Sequence, residues 1–336
     1  MKKLISILLT LLLVLAFAGC GAANTDSNPE SSAPDLTNVE CNIYGIAGPT
    51  GVGLANLMEK AEKGEGALKY NIALAANNDE IIAKLKNGEA DIAAVATNLA
   101  SVLYNNPDVD IQVLAVNTLG VLNVVAKGYE IDSIDDLKGL TVYSTGQGAN
   151  PEYIINDVLK NNNLEVGKDV KVEFVAQPTE LVAKMADPKA EKVVVIAPQP
   201  VATNITVKVP TAKIAIDLND EWEKAHNEQL TMGCVVVRKE FAENNADAIA
   251  AFLKEYKASI EKTNSDVEAT AANCEKYKII APAAVAKKAI PNCNIVYQDG
   301  NDMKTNLSAY LKFLFDLNPK SVGGKLPADD FYYGVK

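Results

Sequence analysis

Arginine, histidine and tryptophan are nearly missing from this chain of 336 residues. Arg238, His226 and Trp222 are each the only residue of their kind. A single arginine cannot form the paired guanidinium clamps that commonly bind carboxylates and phosphates through two hydrogen bonds. Cysteine pairs and histidine–glutamate pairs at metal-binding spacing are also missing, so we expect neither a metal site nor a cofactor. The formal charge of −11 argues against nucleic acid as a partner.

Groups typical of catalysis are equally scarce. The stretch from Gly48 to Gly53 resembles a phosphate-binding loop, but Leu54 stands where such a loop has its lysine. His226 lies in the charged stretch DEWEKAHNEQ, which predicts a helix surface rather than a strand-end loop. We therefore predict no catalytic residue and expect that the protein is not an enzyme.

The long apolar run of the chain lies at its beginning. Lys2 and Lys3 precede an apolar stretch up to Phe17 that is too short to span a bilayer, which is typical of an export signal. The following AGC resembles the bacterial lipobox, which implies cleavage before Cys20 and lipid modification of its thiol. Residues 21–38 are rich in Ser, Asn, Pro and Ala and predict a flexible tether. We therefore expect an extracytoplasmic protein anchored to the cell membrane.

An internal repeat organises the rest of the chain. NIALAANNDEIIAKLK, residues 71–86, matches KVEFVAQPTELVAKMA, residues 171–186, in four identities and five conserved apolar positions. Upstream, Tyr44 and Tyr143 occupy equivalent places in the same strand–loop–helix order. Short Val, Ile and Ala runs that alternate with helical stretches are typical of parallel strands buried on both faces. Each half is therefore predicted to be a small α/β lobe of the Rossmann-like kind, with a mainly parallel sheet.

Two extended segments connect the repeats. Residues 119–128 lead out of the first half, and residues 229–241 have the β-branched run of a strand that leads back. The remaining sequence is helical, has no third repeat, and is expected to pack on the first lobe. The predicted units are a signal peptide at 1–19, a lipid anchor and flexible tether at 20–38, a first lobe formed by 39–122 and 233–336, and a second lobe at 123–232.

The loops that follow the predicted strands carry small, uncharged, hydrogen-bonding residues. Ligands of open α/β sheets bind outside the carboxyl ends of the strands, so these loops are expected to line one cleft between the lobes. Asn150 also precedes Pro151, which predicts a helix N-cap. The predicted ligand-binding residues are Thr50, Gly51, Thr97, Asn98, Thr118, Thr145, Gln147, Gly148, Asn150 and Gln199.

Four cysteines follow the anchor: Cys41, Cys234, Cys274 and Cys293. In an oxidising compartment they have three possible pairings. Buried free thiols are the alternative, and the sequence does not decide between these possibilities.

Three segments carry a resemblance to a known family. NNDEIIAKLKNGEADIAAVATNLA, SIDDLKGLTVYSTGQGANPEYIINDVLKNNNL and VVVRKEFAENNADAIAAFLKEY resemble solute-binding lipoproteins of ABC importers in the nitrate, taurine, aliphatic-sulfonate and thiamine-precursor group. The resemblance implies the type II periplasmic-binding fold, two lobes joined by two crossover strands. The family often has Glu-Pro where this chain has Gln199-Pro200, so one possible negative charge is missing.

The resemblance implies a function in solute uptake. We expect a monomer that captures a small anionic or neutral polar solute and delivers it to an ABC permease in the membrane. Closure of the lobes would be driven by a ligand that contacts both of them. A ligand-sensing receptor lipoprotein remains the main alternative, and an enzyme on the same fold is the other.

Overall fold

A computed structural model describes residues 34–335. The predicted signal peptide and Cys20 lie outside the described residues, and the predicted tether is described only from Pro34 onward. The strands are β1 (Glu40–Ile46), β2 (Lys69–Ala75), β3 (Ile92–Ala96), β4 (Ile111–Thr118), β5 (Leu122–Lys127), β6 (Thr141–Ser144), β7 (Lys171–Phe174), β8 (Val193–Pro198), β9 (Ala212–Asp217), β10 (Gly233–Arg238) and β11 (Ile295–Gln298).

Helices alternate with these strands. They are α1 (Pro49–Val52), α2 (Ala55–Glu62), α3 (Asn78–Lys86), α4 (Thr97–Tyr104), α5 (Asn150–Asn161), α6 (Pro178–Ala186), α7 (Val201–Lys208), α8 (Leu218–His226), α9 (Lys239–Asn244), α10 (Ala246–Ser265), α11 (Val267–Lys276), α12 (Ala283–Ala289) and α13 (Gly300–Leu317). Short 3₁₀ turns lie at Ile134–Leu137, Ile290–Asn292, Pro319–Val322 and Asp329–Phe331.

The strands form two sheets with the same internal order. Sheet A has the order β2-β1-β3-β10-β4-β11, and sheet B has the order β7-β6-β8-β5-β9. Each crossover strand lies in the sheet of the opposite repeat: β5 enters sheet B and β10 enters sheet A. The predicted α/β lobes and the two crossover strands are therefore confirmed.

Both sheets are mixed rather than purely parallel. The strands β1, β2 and β3 pair in parallel, as do β6, β7 and β8. The crossover strands run antiparallel to both of their neighbours, because each returns from the other lobe and enters its sheet from the opposite direction. The repeated strands keep one common direction within each sheet, as the sequence predicts.

The helical segment that follows β1 is divided into α1 and α2. The division falls at Gly53, whose carbonyl accepts a hydrogen bond from the Ser259 hydroxyl at 2.6 Å. A Cβ atom on Gly53 would lie 2.8 Å from the Tyr256 hydroxyl, so only glycine permits this close approach of α10.

One hydrophobic cluster extends across both lobes. It includes Val113 of β4 and Val124 of β5, together with Met303, Leu307 and Leu311 of α13. The C-terminal helix α13 thus packs against sheet A and also reaches the second lobe. Each sheet has a separate cluster on its other face, as expected for a sheet covered on both sides.

Candidate functional site

The strand ends predicted to line a cleft do meet at one edge of each sheet. In sheet A this edge holds the carboxyl ends of β1, β3 and β4 and the start of β10. In sheet B it holds the ends of β6, β8 and β9 and the start of β5. Only three residues separate Thr118, the last of β4, from Leu122, the first of β5. Because an extended residue spans at most about 3.6 Å, the two edges lie side by side.

A cluster of four residues joins the two edges, and we call it the hinge cluster: Gly120, Asp217, Asn219 and Asn294. The Gly120 N–H donates to Asn219 Oδ1 at 3.1 Å. Asn294 Nδ2 donates to the Gly120 carbonyl at 2.6 Å and to Asp217 Oδ2 at 3.1 Å. A Cβ atom on Gly120 would lie 2.9 Å from that of Asn219, so the packing requires glycine. Burial raises the pKa of the Asp217 carboxyl.

Two predicted residues of the first lobe hold the crossover segments. Thr97 is fully buried; its hydroxyl donates to the Thr231 carbonyl at 2.8 Å, and its N–H donates to the Met232 carbonyl at 3.1 Å. The Thr118 hydroxyl is also buried and donates to Asn117 Oδ1 at 2.9 Å. Both hydroxyl protons are therefore used within the protein.

The loop after β1 is held by a hydrogen bond from the Asn117 side chain and by close packing of its backbone. Asn117 Nδ2 donates to the Thr50 carbonyl at 3.1 Å and to the Tyr256 hydroxyl at 2.9 Å. A Cβ atom on Gly51 would lie 2.3 Å from the Ile46 carbonyl oxygen, so Gly51 is needed for the turn itself. Thr50 is half-buried. Asn98, also half-buried, makes no side-chain hydrogen bond to any residue between 34 and 335, which leaves its amide available to a ligand.

The loop after β6 is the most open part of the second edge. Thr145 is buried, Asn150 is half-buried, and Gln147 and Gly148 are exposed. The Gly148 N–H donates to Glu152 Oε2 at 2.5 Å. The predicted N-cap role of Asn150 is wrong: Ala149 is the N-cap residue of α5, and no side chain caps it directly. The Glu152 carboxylate folds back to the loop and supplies the acceptor there.

Gln199 is buried inside the second lobe, with 3% of its surface exposed. Its Nε2 donates to Asn123 Oδ1 at 2.7 Å, and its Oε1 accepts from the Thr203 hydroxyl at 2.8 Å. Both polar atoms of the amide are therefore satisfied internally. Asn123 lies on the crossover strand β5, so Gln199 connects that strand to α7.

Sequence reasoning missed the residues that hold these loops. Asn117, Asn123 and Asn219 are buried, Asp217 and Asn294 are half-buried, and each has a hydrogen-bond partner far away in the sequence. The only local signal is an Asn inside or at the end of an otherwise apolar strand, since such a side chain needs a hydrogen-bond partner.

The single arginine lies far from this edge. Arg238 is at the other end of β10 from Gly233, about 17 Å away at 3.3 Å per strand residue. Its Nη2 donates to Asp91 Oδ1 at 3.0 Å, and the Asp91 side chain is 7% exposed. Asp91 Oδ2 also accepts from the N–H of Asn42 at 2.9 Å. Arg238 is therefore part of a buried ion pair of the first lobe.

His226 is also remote from the strand ends. It is the last residue of α8, about 12 Å along the helix from Leu218, which follows β9. Its Nε2 lies 2.6 Å from Asp157 Oδ2, and its ring lies 4.1 Å from that of Trp222. Trp222 in turn packs edge-on against Phe313 of α13.

The four cysteines of the described chain are buried and unpaired. Burial raises the pKa of the Cys274 thiol to about 12 and moves those of Cys41, Cys234 and Cys293 upward as well. A thiol protonated at neutral pH is a poor nucleophile and a poor metal ligand.

Residues 34–335 contain no group of three His, Cys, Asp or Glu side chains arranged to hold a metal ion. Within the same residues, no helix has the length and apolar character needed to cross a membrane.

Several solved structures are similar to this chain. An ABC transporter protein from Parabacteroides distasonis superposes with a TM-score of 0.72 at 20% identity, covering 89% of this chain and 99% of that one. The periplasmic aliphatic sulphonate binding protein SsuA from Escherichia coli gives 0.64 at 18% identity, with coverages of 87% and 91%. The periplasmic nitrate-binding protein NrtA from Synechocystis PCC 6803 gives 0.51 at 15% identity, with coverages of 76% and 70%.

Sequence comparisons give less information about this chain than the structural superpositions do. A family described as "Menaquinone biosynthesis" matches residues 164–311, which is less than half of the chain. A search of curated proteins found no match. At identities of 20% and below, the superpositions establish the fold, and they agree with the resemblance seen in the sequence. The chain therefore has the two-lobed α/β fold of type II periplasmic binding proteins.

Proposed function

We propose that this protein is the extracytoplasmic solute-binding component of an ABC importer. One observation carries the proposal: the strand ends of two repeated sheets lie side by side, and the hinge cluster bonds the segment between β4 and β5 to residues at the ends of both sheets. A solute that contacts both edges stabilises the closed arrangement, because closure is a two-state equilibrium biased by such contacts. The similarity to sulphonate-binding and nitrate-binding proteins supports the same role.

We place the ligand-binding contacts on the side chains that the fold leaves available. Asn98 in the first lobe and Gln147 in the second lobe have amides free of internal hydrogen bonds among the described residues. Thr50, Thr145 and Asn150 lie on the same two edges. Gly51 is needed for the turn after β1. Thr97 and Gln199 form hydrogen bonds to the crossover segments, and Thr118 and Gly148 form hydrogen bonds with neighbouring residues of their own loops.

The proposal includes the cellular setting expected from the sequence. The chain would be exported, cleaved before Cys20, lipidated there and held at the membrane by the tether, as a monomer that docks on a permease. A mass shift of diacylglycerol size on the N-terminal peptide, and its loss in Cys20→Ala, would test the anchor. A sensory role would use the same binding cleft. Gene deletion distinguishes the two roles. If the protein serves import, deletion abolishes uptake of the solute. If it serves sensing, deletion changes a transcriptional response and leaves uptake intact.

Catalysis on this fold is the second candidate, because the matched family is described by a biosynthetic process. Against it, the described strand-end loops carry no His, Cys, Lys or Arg side chain for acid–base or nucleophilic chemistry. Mass spectrometry of a bound solute before and after long incubation tests this alternative. An unchanged solute supports binding alone, whereas conversion to a product supports an enzyme.

The binding site is tested with paired substitutions. Solutes retained by the purified protein are first identified by mass spectrometry, and their affinity is then measured by calorimetry. The double variant Asn98→Ala/Gln147→Ala is expected to bind at least about fivefold more weakly, because each lost hydrogen bond contributes about 0.5–1.5 kcal/mol. Lys189→Ala, a change in an exposed loop away from both edges, is the control and should bind normally. Undiminished affinity in the double variant would contradict this placement.

A further inference from the structure

The loops that surround the gap have an unusual charge composition. We define the rim loops as residues 47–54, 96–99, 117–120, 144–152, 198–201, 217–220 and 230–233. None of these residues is Lys, Arg or His, whereas Glu152, Asp217 and Asp220 are acidic. All the formal charge of the rim loops is therefore negative.

Basic residues next to the rim loops do not offset this charge. Ile279, whose carbonyl accepts the Gly48 N–H at 2.9 Å, brings Lys278 near the first edge, but the Lys278 side chain is exposed to solvent. The helices α7 and α12 contact each other between the lobes. Their lysines, Lys208, Lys287 and Lys288, are also exposed. An exposed ammonium group interacts weakly with a partner because water and salt screen its charge.

Helix starts are the other common source of anion binding, and two of those in the second lobe carry a carboxylate. At α5, the Glu152 carboxylate accepts from the Gly148 N–H at 2.5 Å. At α8, Asp217 Oδ1 accepts from the Asn219 N–H at 2.9 Å. A carboxylate at each of these positions satisfies the donor and cancels the favourable field of the helix dipole.

In the first lobe, backbone carbonyls accept from one N–H at the start of α4 and from two N–H groups near α1. At α4, the Thr97 N–H donates to the Met232 carbonyl at 3.1 Å. At α1, the Gly48 N–H donates to the Ile279 carbonyl, and the Gly51 N–H donates to the Gly48 carbonyl at 3.0 Å. The side-chain amides of Asn98 and Gln147 make no hydrogen bond to other described residues, and each can both donate and accept. The Thr231 hydroxyl is buried and also has no partner among the described residues.

Resting on the proposed function, we propose that the cleft binds an uncharged, hydrogen-bonding solute and excludes inorganic and organic anions such as nitrate and alkanesulfonates. An anion would enter a cleft with negative rim charge and without a guanidinium or ammonium group in the rim loops to replace its hydration. An uncharged solute meets no such penalty, and amide groups on both edges satisfy its donors and acceptors. Of the three rim carboxylates, Glu152 and Asp217 accept hydrogen bonds within the fold, and Asp220 is exposed to solvent.

The charge of the bound solute is the first test. The purified full chain is incubated with a mixture of small metabolites, and the retained solutes are identified by mass spectrometry. We expect an uncharged solute that is not displaced by sodium nitrate or sodium ethanesulfonate at a thousandfold excess over the protein. Retention of an anion, or displacement by either salt, would overturn the inference and leave the solute-binding function intact. Retention of no solute would instead overturn the solute-binding function, and the inference with it.

Salt dependence gives a second readout that does not require the identity of the solute. Affinity for an uncharged solute should change less than twofold between 20 and 500 mM sodium chloride, because no ion pair is screened. A fivefold or larger change would indicate a charged ligand and contradict the inference.

A charge substitution tests the local cause of anion exclusion. Glu152→Lys is expected to bind ethanesulfonate at least tenfold more tightly than Glu165→Lys, which changes the net charge equally. Glu165 is exposed, lies outside the rim loops and pairs with Lys168. Equal ethanesulfonate affinities in the two variants would overturn the assignment of selectivity to the rim charge. Circular dichroism of both variants checks that each is folded before the comparison is made.

Discussion

Each of the two crossover strands ends in a basic residue that binds the neighbouring helix, but the two residues bind different groups. At the end of β10, Arg238 donates from Nε to the Ala90 carbonyl at 3.0 Å, just after α3, and binds the Asp91 carboxylate. At the end of β5, Lys127 donates from Nζ to the Met185 carbonyl at 2.7 Å and the Asp187 carbonyl at 3.1 Å, at the end of α6. In both lobes a basic residue thus fastens the crossover strand to the carboxyl end of the equivalent helix.

The two lobes differ in the group that the basic residue binds. In the first lobe, the partner is the buried Asp91, whereas the residue at the equivalent place in the register of sheet B is the buried, apolar Val193. Guanidinium is planar and suited to a buried carboxylate, while an ammonium group donates to several carbonyls and keeps contact with water. The comparison teaches that topology fixes the position of the contact, and burial decides its chemistry.

The largest expected effect comes from breaking the buried pair. Arg238→Met should lower the free energy of unfolding by about 3–5 kcal/mol, because it leaves the Asp91 carboxylate buried without its cation. Lys127→Met removes only hydrogen bonds to carbonyls and should cost about 1 kcal/mol. Urea unfolding followed by circular dichroism measures both.

A rescue experiment sharpens this result. Asp91→Asn in the Arg238→Met background should recover part of the lost stability, because no unpaired charge then remains buried. Equal costs for Arg238→Met and Lys127→Met would show that burial does not distinguish the two lobes.

A second difference concerns the first helix of each repeat. In the first lobe, Asn56 of α2 donates from Nδ2 to the Ser259 carbonyl at 3.1 Å, the Thr263 hydroxyl at 3.2 Å and the Thr270 hydroxyl at 3.0 Å. Its Oδ1 accepts from Asn273 Nδ2 at 3.1 Å. This buried polar network joins α2, α10 and α11.

The second lobe has an apolar residue at the equivalent place. Ile155 lies in α5 at the offset of 99 that aligns Tyr44 with Tyr143, and it is buried in the hydrophobic cluster shared by both lobes. Asn56→Ile should therefore cost about 1–3 kcal/mol, because it leaves buried hydroxyl and amide groups without partners. The exposed change Asn156→Ala is the control, expected within about 0.5 kcal/mol of the parent. Unaltered stability in Asn56→Ile would mean that the network contributes no net stability to the first lobe.

The smallest expected effect tests a feature that the lobes share. Lys84 Nζ lies 5.0 Å from the Tyr44 ring centroid, and Lys184 Nζ lies 3.9 Å from that of Tyr143. Lys84→Met and Lys184→Met should each cost about 0.5–1 kcal/mol by thermal unfolding, as expected for an exposed cation–π contact. A cost in one lobe alone would show that the repeated pair no longer has a common role.

The sequence predicted much of the fold because its signals are local. The repeat, the alternation of apolar runs with helices and the two extended connections fixed the lobes and the crossover strands. Sequence could not foresee the break between α1 and α2, since it depends on Ser259 and Tyr256 of a distant helix. The mistaken cap at Asn150 has a local cause, because α5 begins at Asn150 itself and Ala149 is its N-cap residue.

The candidate site was predictable as a set of loops and not as a set of available groups. Thr97, Thr118 and Gln199 follow strands, as expected, but their polar atoms bond to groups within the protein. Asn98 and Gln147 have the same composition signal and remain free among the described residues. A loop sequence does not show whether a polar side chain will bond within the protein or remain free.

By itself, the sequence determined the repeated α/β plan, the negative rim loops and the shortage of arginine, because these are properties of composition and short-range pattern. Only the tertiary structure decided where the single guanidinium lies, which amides face inward and how the hinge cluster forms. The physical reason is that a hydrogen bond or an ion pair depends on partners that folding brings together from distant parts of the chain, and no local pattern encodes their distance.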